Sequence, residues 1–317
     1  MIMYVKGDLF QSPAHVLVNT VNTVGVMGRG IALDFKHLFP QMYRQYRDLC
    51  ENGQLEIGKL WLYKSPNKWV LNFPTKKHWR NPSRVEYIEA GLQKFVQSYA
   101  DYGIHSVAFP ALGCGNGQLD FETQVKPLME KHLRSLPIEV FIYPGRDTEF
   151  VEHLRQDEMK RWLRTEPSAL PFIEVWDDLQ SLLQKQHTFE TIARKNPFTA
   201  RISKDPQGIE VVSASQKYNL EYETLEAFWQ QLRTHGFSMR HIAPDVDRSI
   251  SYLIPIFSQL DYITPVHVAD KYQDLQRATV TGLQVLPSAF ARESPTLTSE
   301  FVQLSFLPTA EQSSCAA

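Results

Sequence analysis

The chain has 317 residues, and because an ordinary domain holds about 150 residues we expect two domains. The composition, 43% hydrophobic and 21% charged, is that of a globular protein, and no apolar run approaches the ~18–20 residues that cross a bilayer. Three widely spaced cysteines (Cys50, Cys114 and Cys315) argue against a disulfide scaffold and a zinc cluster, and with an N-terminus that lacks a signal peptide they predict a cytoplasmic protein.

The formal net charge of −2 conceals a difference between the two halves of the chain. Residues 1–150 carry 17 Lys and Arg against 14 Asp and Glu, whereas residues 151–317 carry 16 against 21. The net charges are therefore +3 and −5. Such an asymmetry is typical of halves with different partners, and it leaves a nucleic-acid partner open for the first half.

The first 147 residues alternate between apolar strands and amphipathic helices. Strands are predicted at 3–7, 15–22, 106–112 and 139–145, with an antiparallel hairpin at 59–75. Helices are predicted at 31–53 with a break at Pro40, at 83–103 and at 120–136. Ser83 and Glu86 form a capping-box pattern, and Asp120 is expected to cap its helix. This alternation predicts an α/β domain with three layers and a mixed sheet.

The second half, from residue 151, is predicted to be a separate α+β domain. Helical spacing is found at 149–164, 172–195 and 219–236, and a strand is expected at 208–215. Residues 250–257 and 262–269 are apolar and suited to strands, and the tail at 309–317 is expected to be disordered.

Two glycine-rich loops follow predicted strands of the first half. They comprise residues 23–30, TVGVMGRG, and residues 113–118, GCGNGQ. In open α/β sheets ligands bind beyond the carboxyl ends of the strands, and glycine lets backbone N–H groups approach an anion closely. The two loops could therefore hold a diphosphate from both sides, or the glycines could serve only tight turns.

Four segments in order resemble those of macrodomains, the ADP-ribose-binding fold: YVKGDLF, VLVNTVNTVGVMGRGIALDFKHLFP, NFPTKKHWR and FPALGCGNGQLDF. The resemblance covers residues 1–147. Within that fold, NTVGVMGRGIA together with PTKKHWR resembles the DarG family of antitoxins. That resemblance implies an enzyme that hydrolyses the N-glycosidic bond between ADP-ribose and a DNA nucleobase, with thymidine expected, after modification by a DarT toxin.

The resemblance also implies where ADP-ribose binds. Asp8 should accept a hydrogen bond from the adenine amino group, and the backbone of Leu9 should donate one. Asn22 should reach the distal ribose at the bond to be cleaved. The residues implied to bind ADP-ribose are Gly7, Asp8, Leu9, Asn19, Thr20, Val21, Gly28, Arg29, Gly30, Ile31, Thr75, Gly113, Cys114, Gly115, Asn116 and Gly117.

Lys76 matches the catalytic lysine of lysine-dependent ADP-ribosyl hydrolases. An ammonium group could serve the departing base, whereas a neutral amine could attack the anomeric carbon. Related hydrolases have an aspartate where this chain has Asn116, and an amide cannot act as a general base. We therefore expect a single-lysine reaction assisted by Asn22, while Lys77 stays an alternative and Lys76 could be only a solvated residue at a hairpin end.

The segment after Lys76 is basic and aromatic. Lys77, His78, Trp79 and Arg80 are predicted to contact DNA, with cations on phosphates and a ring stacked on a base. The alternative is a solvated loop with Trp79 packed inwards.

The acidic second half is expected to bind the toxin by imitating DNA phosphates. Candidate acidic groups are Asp177, Asp178, Glu221, Glu223, Glu226, Asp245 and Asp247, although ordinary solvated faces would look the same. The expected partners are ADP-ribosylated, single-stranded DNA, the toxin and the product ADP-ribose, without a metal, a cofactor or a membrane. Alternative functions are a hydrolase acting on ADP-ribosylated protein or O-acetyl-ADP-ribose, and a non-catalytic ADP-ribose reader.

Overall fold

The structure is a computed structural model. It describes residues 1–145, 155–191, 195–214, 216–238, 250–269 and 279–286. The predicted boundary at residue 150, the start of the predicted helix at 149–164, Asp245, Asp247 and the tail lie outside these residues.

Six strands and four α-helices make up the first part of the chain. The strands are β1 (Ile2–Tyr4), β2 (Val16–Asn22), β3 (Trp61–Tyr63), β4 (Trp69–Lys76), β5 (Ser106–Pro110) and β6 (Glu139–Tyr143). The helices are α1 (Gly30–Leu38), α2 (Pro40–Glu51), α3 (Val85–Ser98) and α4 (Lys126–Leu133). A 3-10 turn at Leu9–Gln11 and a π-helical turn at Phe121–Val125 complete the set.

These strands form one mixed sheet in the order β1-β6-β5-β2-β4-β3. Neighbouring strands run parallel except β3, which pairs antiparallel with β4 as the predicted hairpin. One face is covered by an apolar core that includes Ile88 of α3 and Met129 of α4. The other carries Phe35 of α1 and Tyr46 of α2. The predicted three-layer α/β fold with a mixed sheet is confirmed.

The described residues of the second part form four α-helices and two antiparallel sheets. The helices are α5 (Gln156–Leu163), α6 (Phe172–Lys185), α7 (Tyr222–His235) and α8 (Ile250–Phe257). The strands are β7 (Thr188–Glu190), β8 (Pro197–Lys204), β9 (Gln207–Ser213), β10 (Lys217–Glu221), β11 (Phe237–Ser238), β12 (Ile263–Ala269) and β13 (Thr279–Val285). Their orders are β10-β9-β8-β7 and β11-β13-β12. This region is α+β, as predicted, and no described helix is both long enough and apolar enough to span a bilayer.

The hydrophobic core of the second part includes two residues of the first. Val26 and Trp79 are buried in the same cluster as Trp176 of α6 and Trp229 of α7. A buried ion pair also joins the two parts, because Arg233 of α7 donates two hydrogen bonds of 2.7 Å to Glu51 of α2. The apolar contact surface is thus shared between the two halves.

Three predicted helix boundaries and one predicted strand are wrong. No side chain caps α3, and the buried Oγ of Ser83 has no hydrogen-bond partner among the described residues, so the capping box does not form. The helix predicted at 172–195 ends at Lys185 and gives way to β7. The helix predicted at 219–236 begins at Tyr222 because the preceding residues form β10.

Residues 250–257 form helix α8 instead of a strand. Ile250, Leu253, Ile254 and Phe257 are buried. Their spacing of three and four residues places them on one face of a helix. This helical spacing decided the structure of the segment, although its β-branched residues favour a strand. The strands predicted at 208–215 and 262–269 are confirmed as β9 and β12.

Candidate active site

A cleft of about 420 Å³ opens at the carboxyl edge of the mixed sheet. Its floor includes Asn22 at the end of β2, Lys76 at the end of β4 and Pro110 at the end of β5. Parallel strands bring their carboxyl ends to the same edge, and this is where α/β sheets bind ligands. The cleft therefore lies where the glycine loops were expected to meet.

Lys76 and Asn22 are neighbours on adjacent strands. The pairing of β2 with β4 shifts register at Val21, so that Val21 lies opposite Pro74 and Asn22 lies opposite Lys76. Such an irregularity redirects side chains at strand ends and is common beside active sites. Both residues line the cleft, and Lys76 is only 5% exposed.

Asn22 organises the first glycine loop through its side chain. Its amide nitrogen donates to Val26 O at 2.6 Å, and its Oδ1 accepts from Val24 N at 3.1 Å and Val26 N at 3.3 Å. The hydroxyl of Tyr46 donates to the same Oδ1 at 3.1 Å. Oδ1 of Asn22 therefore already accepts hydrogen bonds from the protein. The amide nitrogen has a second proton, which it can donate to a ligand.

The two glycine loops approach each other over the cleft. Gly30 has φ +61°, and a Cβ at this position would lie 3.0 Å from the side-chain nitrogen of Asn116. Gly117 packs against Gly113, where a Cβ would lie 2.2 Å from the Gly113 carbonyl oxygen. Glycine is therefore required for close packing in both loops. The N-terminus of α1, with its unpaired N–H groups, begins at Gly30 and faces the cleft.

Most of the predicted ADP-ribose-binding residues line this cleft. They are Gly7, Asp8, Leu9, Thr20, Val21, Gly28, Arg29, Gly30, Ile31, Thr75, Gly113, Gly115, Asn116 and Gly117. Asp8 also caps the 3-10 turn that follows it, because its Oδ1 accepts from Phe10 N at 3.2 Å.

Two predicted binding residues are not part of the cleft lining. Asn19 is fully buried in β2 and donates to Asn72 Oδ1 at 3.0 Å. Cys114 packs against the apolar core on the α3 side of the sheet, and burial raises the pKa of its thiol to about 12. Neither residue lines the cleft, so contact of either one with the ligand stays a prediction.

Several residues of the cleft were not predicted from the sequence. They are Phe10, Val26, Ala32, Leu33, Asp34, Pro110, Ala111, Tyr143 and Gly145. Ala32 to Asp34 follow the first glycine loop in the opening turns of α1, so their position could have been read from the helix start. Tyr143 ends β6, and it could have been found by extending the strand-end argument to this last parallel strand.

The basic segment after Lys76 divides into an exposed residue and three packed ones. Lys77 is exposed, and its carbonyl accepts from Thr23 Oγ1 at 2.7 Å, which ties the segment to the first glycine loop. Trp79 is fully buried, so its predicted stacking on a DNA base is wrong in this structure. Burial and the nearby charge of Arg80 lower the pKa of His78 to about 4, and its Nδ1 accepts from Arg80 N.

Glu174 of α6 is the partner of Trp79 and Arg80. This carboxylate has no exposed surface, and it accepts from Trp79 Nε1 at 3.0 Å and from Arg80 at 2.9 and 3.0 Å. Arg164 donates to it from the other side at 3.3 Å. The guanidinium of Arg80 is therefore engaged within the protein, and its contact with DNA stays a prediction.

Two of the candidate toxin-binding acids also have internal partners. Asp177 pairs with Arg80, and Asp178 accepts from Arg164 at 2.8 Å and from the Tyr262 hydroxyl at 2.9 Å. Within the residues that the structure describes, no cluster of three or more His, Cys, Asp and Glu side chains could hold a metal ion.

Comparison with known proteins adds a family match in this region. The Macro domain family model matches residues 18–127. A Thermus aquaticus protein named "DNA ADP-ribosyl glycohydrolase" is 45% identical over 148 residues, which are 45% of this chain and 41% of that protein. A Mycobacterium bovis protein of the same name is 36% identical over 241 residues, which are 66% of this chain and 67% of that protein.

A third relative comes from Thermosipho africanus. It is named "DNA ADP-ribosyl transferase-DNA ADP-ribosyl glycohydrolase fusion protein" and is 42% identical over 158 residues, which are 44% of this chain and 40% of that protein. The chain thus spans less than half the length of the Thermus and Thermosipho relatives that it matches. Because the match to the mycobacterial protein extends over two thirds of that protein, the chain belongs to the DarG-type family of macrodomain proteins, the DNA ADP-ribosyl glycohydrolases.

Proposed function

We propose that the protein removes ADP-ribose from a nucleobase of DNA, with thymidine expected, by hydrolysing the N-glycosidic bond. In the net reaction the bond between the base nitrogen and the anomeric carbon breaks, the oxygen of water bonds to that carbon, and a proton passes to the base. The observation that carries the proposal is the position of Lys76 beside Asn22 on the cleft floor. The names of the relatives support the same activity, and we expect it to operate in the cytoplasm.

The diphosphate of ADP-ribose would lie between the two glycine loops. The N-terminus of α1 offers unpaired N–H groups at Gly30 and Ile31, and a helix N-terminus favours a negative charge. Gly113 to Gly117 would bound the diphosphate from the opposite side. The adenine would reach Asp8 at the far end of the cleft lining.

Lys76 would act at the reacting end of the ligand. Cleavage gives the anomeric carbon oxocarbenium character and leaves negative charge on the departing base. An ammonium at Lys76 would stabilise that base. A neutral amine would instead attack the anomeric carbon and displace the base, and water would then hydrolyse the bond between Lys76 and that carbon and release ADP-ribose. Both routes need the Nζ atom within bonding reach of the scissile bond. Asn22 would assist by holding residues 23–26 in place and by offering its remaining amide proton to the ribose.

A comparison of three substrates tests this proposal. The full chain is incubated with ADP-ribosylated single-stranded DNA, an ADP-ribosylated protein and O-acetyl-ADP-ribose, and released ADP-ribose is measured. We expect turnover of the DNA substrate above the other two. Preferential turnover of protein or of O-acetyl-ADP-ribose would replace DNA as the substrate, and binding of ADP-ribose without any turnover would make the protein a reader.

We further propose that the second half binds the cognate DarT-like ADP-ribosyltransferase toxin. The fusion of the two activities in the name of the Thermosipho relative supports such a pairing. Three of the predicted toxin-binding acids lie at the start of α7: Glu221 and Glu223 are exposed, and Glu226 is partly buried. Of the predicted acids that the structure describes, we assign this role to these three. Asp177 and Asp178 contribute less, because their charges are balanced within the protein.

Charge reversal tests the toxin-binding proposal. Glu221→Lys and Glu223→Lys together should weaken binding of the toxin, and the loss should be larger at low salt because exposed charges are screened. Reversal of Glu190, an exposed acid on β7, serves as the matched control. Unchanged toxin affinity at several salt concentrations would exclude acidic mimicry by this cluster.

A further inference from the structure

We propose that helix α5 is part of the ADP-ribose site, with Met159 and Trp162 as positioning residues for the diphosphate loop. Neither residue lies in the region matched by the Macro domain model, which ends at residue 127. The inference rests on the proposed function in one respect, namely that the cleft binds ADP-ribose. It assigns to the second half a role in ligand affinity in addition to the binding of a toxin.

Met159 of α5 packs against the first glycine loop at Gly28. Gly28 lines the cleft, and a Cβ built on this residue would lie 1.8 Å from Met159 Cε and 3.4 Å from Trp162 Cζ3. Met159 is fully buried, so no solvent layer separates the helix from the loop. Gly28 thus lies directly against Met159 of α5 and also borders the ligand space.

Trp162 holds the start of α1. The guanidinium carbon of Arg29 lies 5.3 Å from the centre of the Trp162 ring, and Lys36 Nζ lies 6.0 Å from it. A cation at this distance from an indole ring is attracted to its face. Arg29 immediately precedes the first residue of α1, and Lys36 is also paired with Glu166 at 2.6 Å. Trp162 of α5 and Glu166, which follows α5, therefore hold α1 at its beginning and along its length.

These contacts favour ligand binding through preorganisation. A loop that presents backbone N–H groups to a diphosphate must be ordered in the complex, and ordering it during binding reduces affinity. Hydrogen bonds of the Asn22 side chain hold residues 23–26 in place, and side chains of α5 pack against residues 28 and 29. Val26 connects the two arrangements, because it lines the cleft and belongs to the same core as Met159.

The test measures the affinity of the full chain for ADP-ribose by isothermal titration calorimetry. Trp162→Ala and Met159→Ala should each weaken binding by about 10-fold, since the loop must then be ordered by the ligand. Trp162→Phe keeps an aromatic face and should restore most of the affinity. Phe228→Ala is the control, because Phe228 is buried in the second half, where its ring packs edge-on against Phe257. All variants are compared at a temperature where circular dichroism shows them folded.

The results separate the two proposals. Weaker binding in Trp162→Ala and Met159→Ala, with Phe228→Ala like the wild type, supports the positioning role. If the wild type binds ADP-ribose and the α5 variants bind equally well, the inference is overturned while the proposed function stands. Equal weakening in Phe228→Ala would also overturn it, since the cause would be general destabilisation. A wild type that does not bind ADP-ribose refutes the proposed function and the inference with it.

Discussion

Five consecutive residues, 76–80, divide between two environments. Lys76 lines the cleft and Lys77 is exposed beside it, whereas Trp79 and Arg80 are held by Glu174 of the second half. His78 lies between the two groups, largely buried and uncharged at neutral pH. The chain therefore uses one basic and aromatic motif for two purposes: its first residues serve the cleft, and its last residues join the halves.

Composition alone therefore does not assign a basic segment to nucleic acid. Cations and an indole are what a DNA-binding loop needs, and they are also what a buried carboxylate needs. The deciding factor is where the chain turns after β4, because residues beyond that turn are directed at α6 instead of the cleft.

The largest effect is expected from Lys76→Ala. Turnover of ADP-ribosylated DNA should fall by about 1,000-fold or more, because a group acting on the reacting atoms is removed. Affinity for ADP-ribose should stay within a few-fold of the wild type, since the diphosphate is held by backbone groups. Single-turnover kinetics and calorimetry measure the two quantities. Lys94→Ala, at an exposed lysine of α3, is the matched control, and an active Lys76→Ala variant would disprove the catalytic role.

Trp79→Ala should lower the free energy of unfolding by about 3–5 kcal/mol, because it leaves a cavity in the shared core and removes a donor from Glu174. Urea denaturation measures the loss. Trp79→Phe should cost less, since most of the packing remains. If Trp79 instead stacks on a DNA base, Trp79→Ala should leave stability unchanged and weaken DNA binding. That result would contradict the burial of Trp79.

The buried imidazole of His78 makes stability depend on pH. Its pKa is about 4 in the folded protein against about 6.5 in an unfolded chain, so between these values the unfolded state binds a proton that the folded state does not. Its contribution to stability is therefore complete above pH 6.5 and is lost as the pH falls towards 4. His78→Asn keeps an acceptor for Arg80 N but does not titrate. Urea midpoints at pH 8 and pH 5 should fall less in this variant than in the wild type, and equal decreases would contradict the burial of His78.

Lys77 should give the smallest effect. If it contacts a phosphate, Lys77→Ala should weaken binding of ADP-ribosylated single-stranded DNA a few-fold and reduce the salt slope of the affinity by about 0.7. Fluorescence anisotropy in the Lys76→Ala background measures this without turnover. Lys94→Ala, at an exposed lysine of α3, should leave the slope unchanged. An unchanged slope in both variants would contradict the predicted DNA contact of Lys77.

Much of the first half could be predicted from the sequence, and less of the second. Val16 to Val18 form an apolar run rich in β-branched residues, which is typical of buried parallel strands. Strand β2 could therefore be predicted from the sequence. Strand β8 was missed because the turn at Asp205 and Pro206 lacks the Asn-Gly or Asp-Gly pattern of tight hairpins. Its outward residues also include Arg201, which is paired with Glu210 of β9 across the sheet.

The cleft was predictable where glycine marks a backbone that must approach closely, as at Gly30 and Gly117. The environment of Trp79 was not, because its partner Glu174 lies 95 residues further along the chain. Cys114 could not be placed either, since the turn of its own loop decides whether the thiol enters the cleft or the core. Local patterns therefore identified the loops, and tertiary packing decided which side chains in them are available.

The shared core has an evolutionary consequence. A gene fusion or recombination event that joined this first half to a second half from a distant relative would have to supply a counterpart for Trp79 and a carboxylate for Arg80. Without them, an indole and a guanidinium would be left at a junction with no matching surface. Exchange of second halves between lineages is therefore restricted to pairs that match at residues 79, 80 and 174.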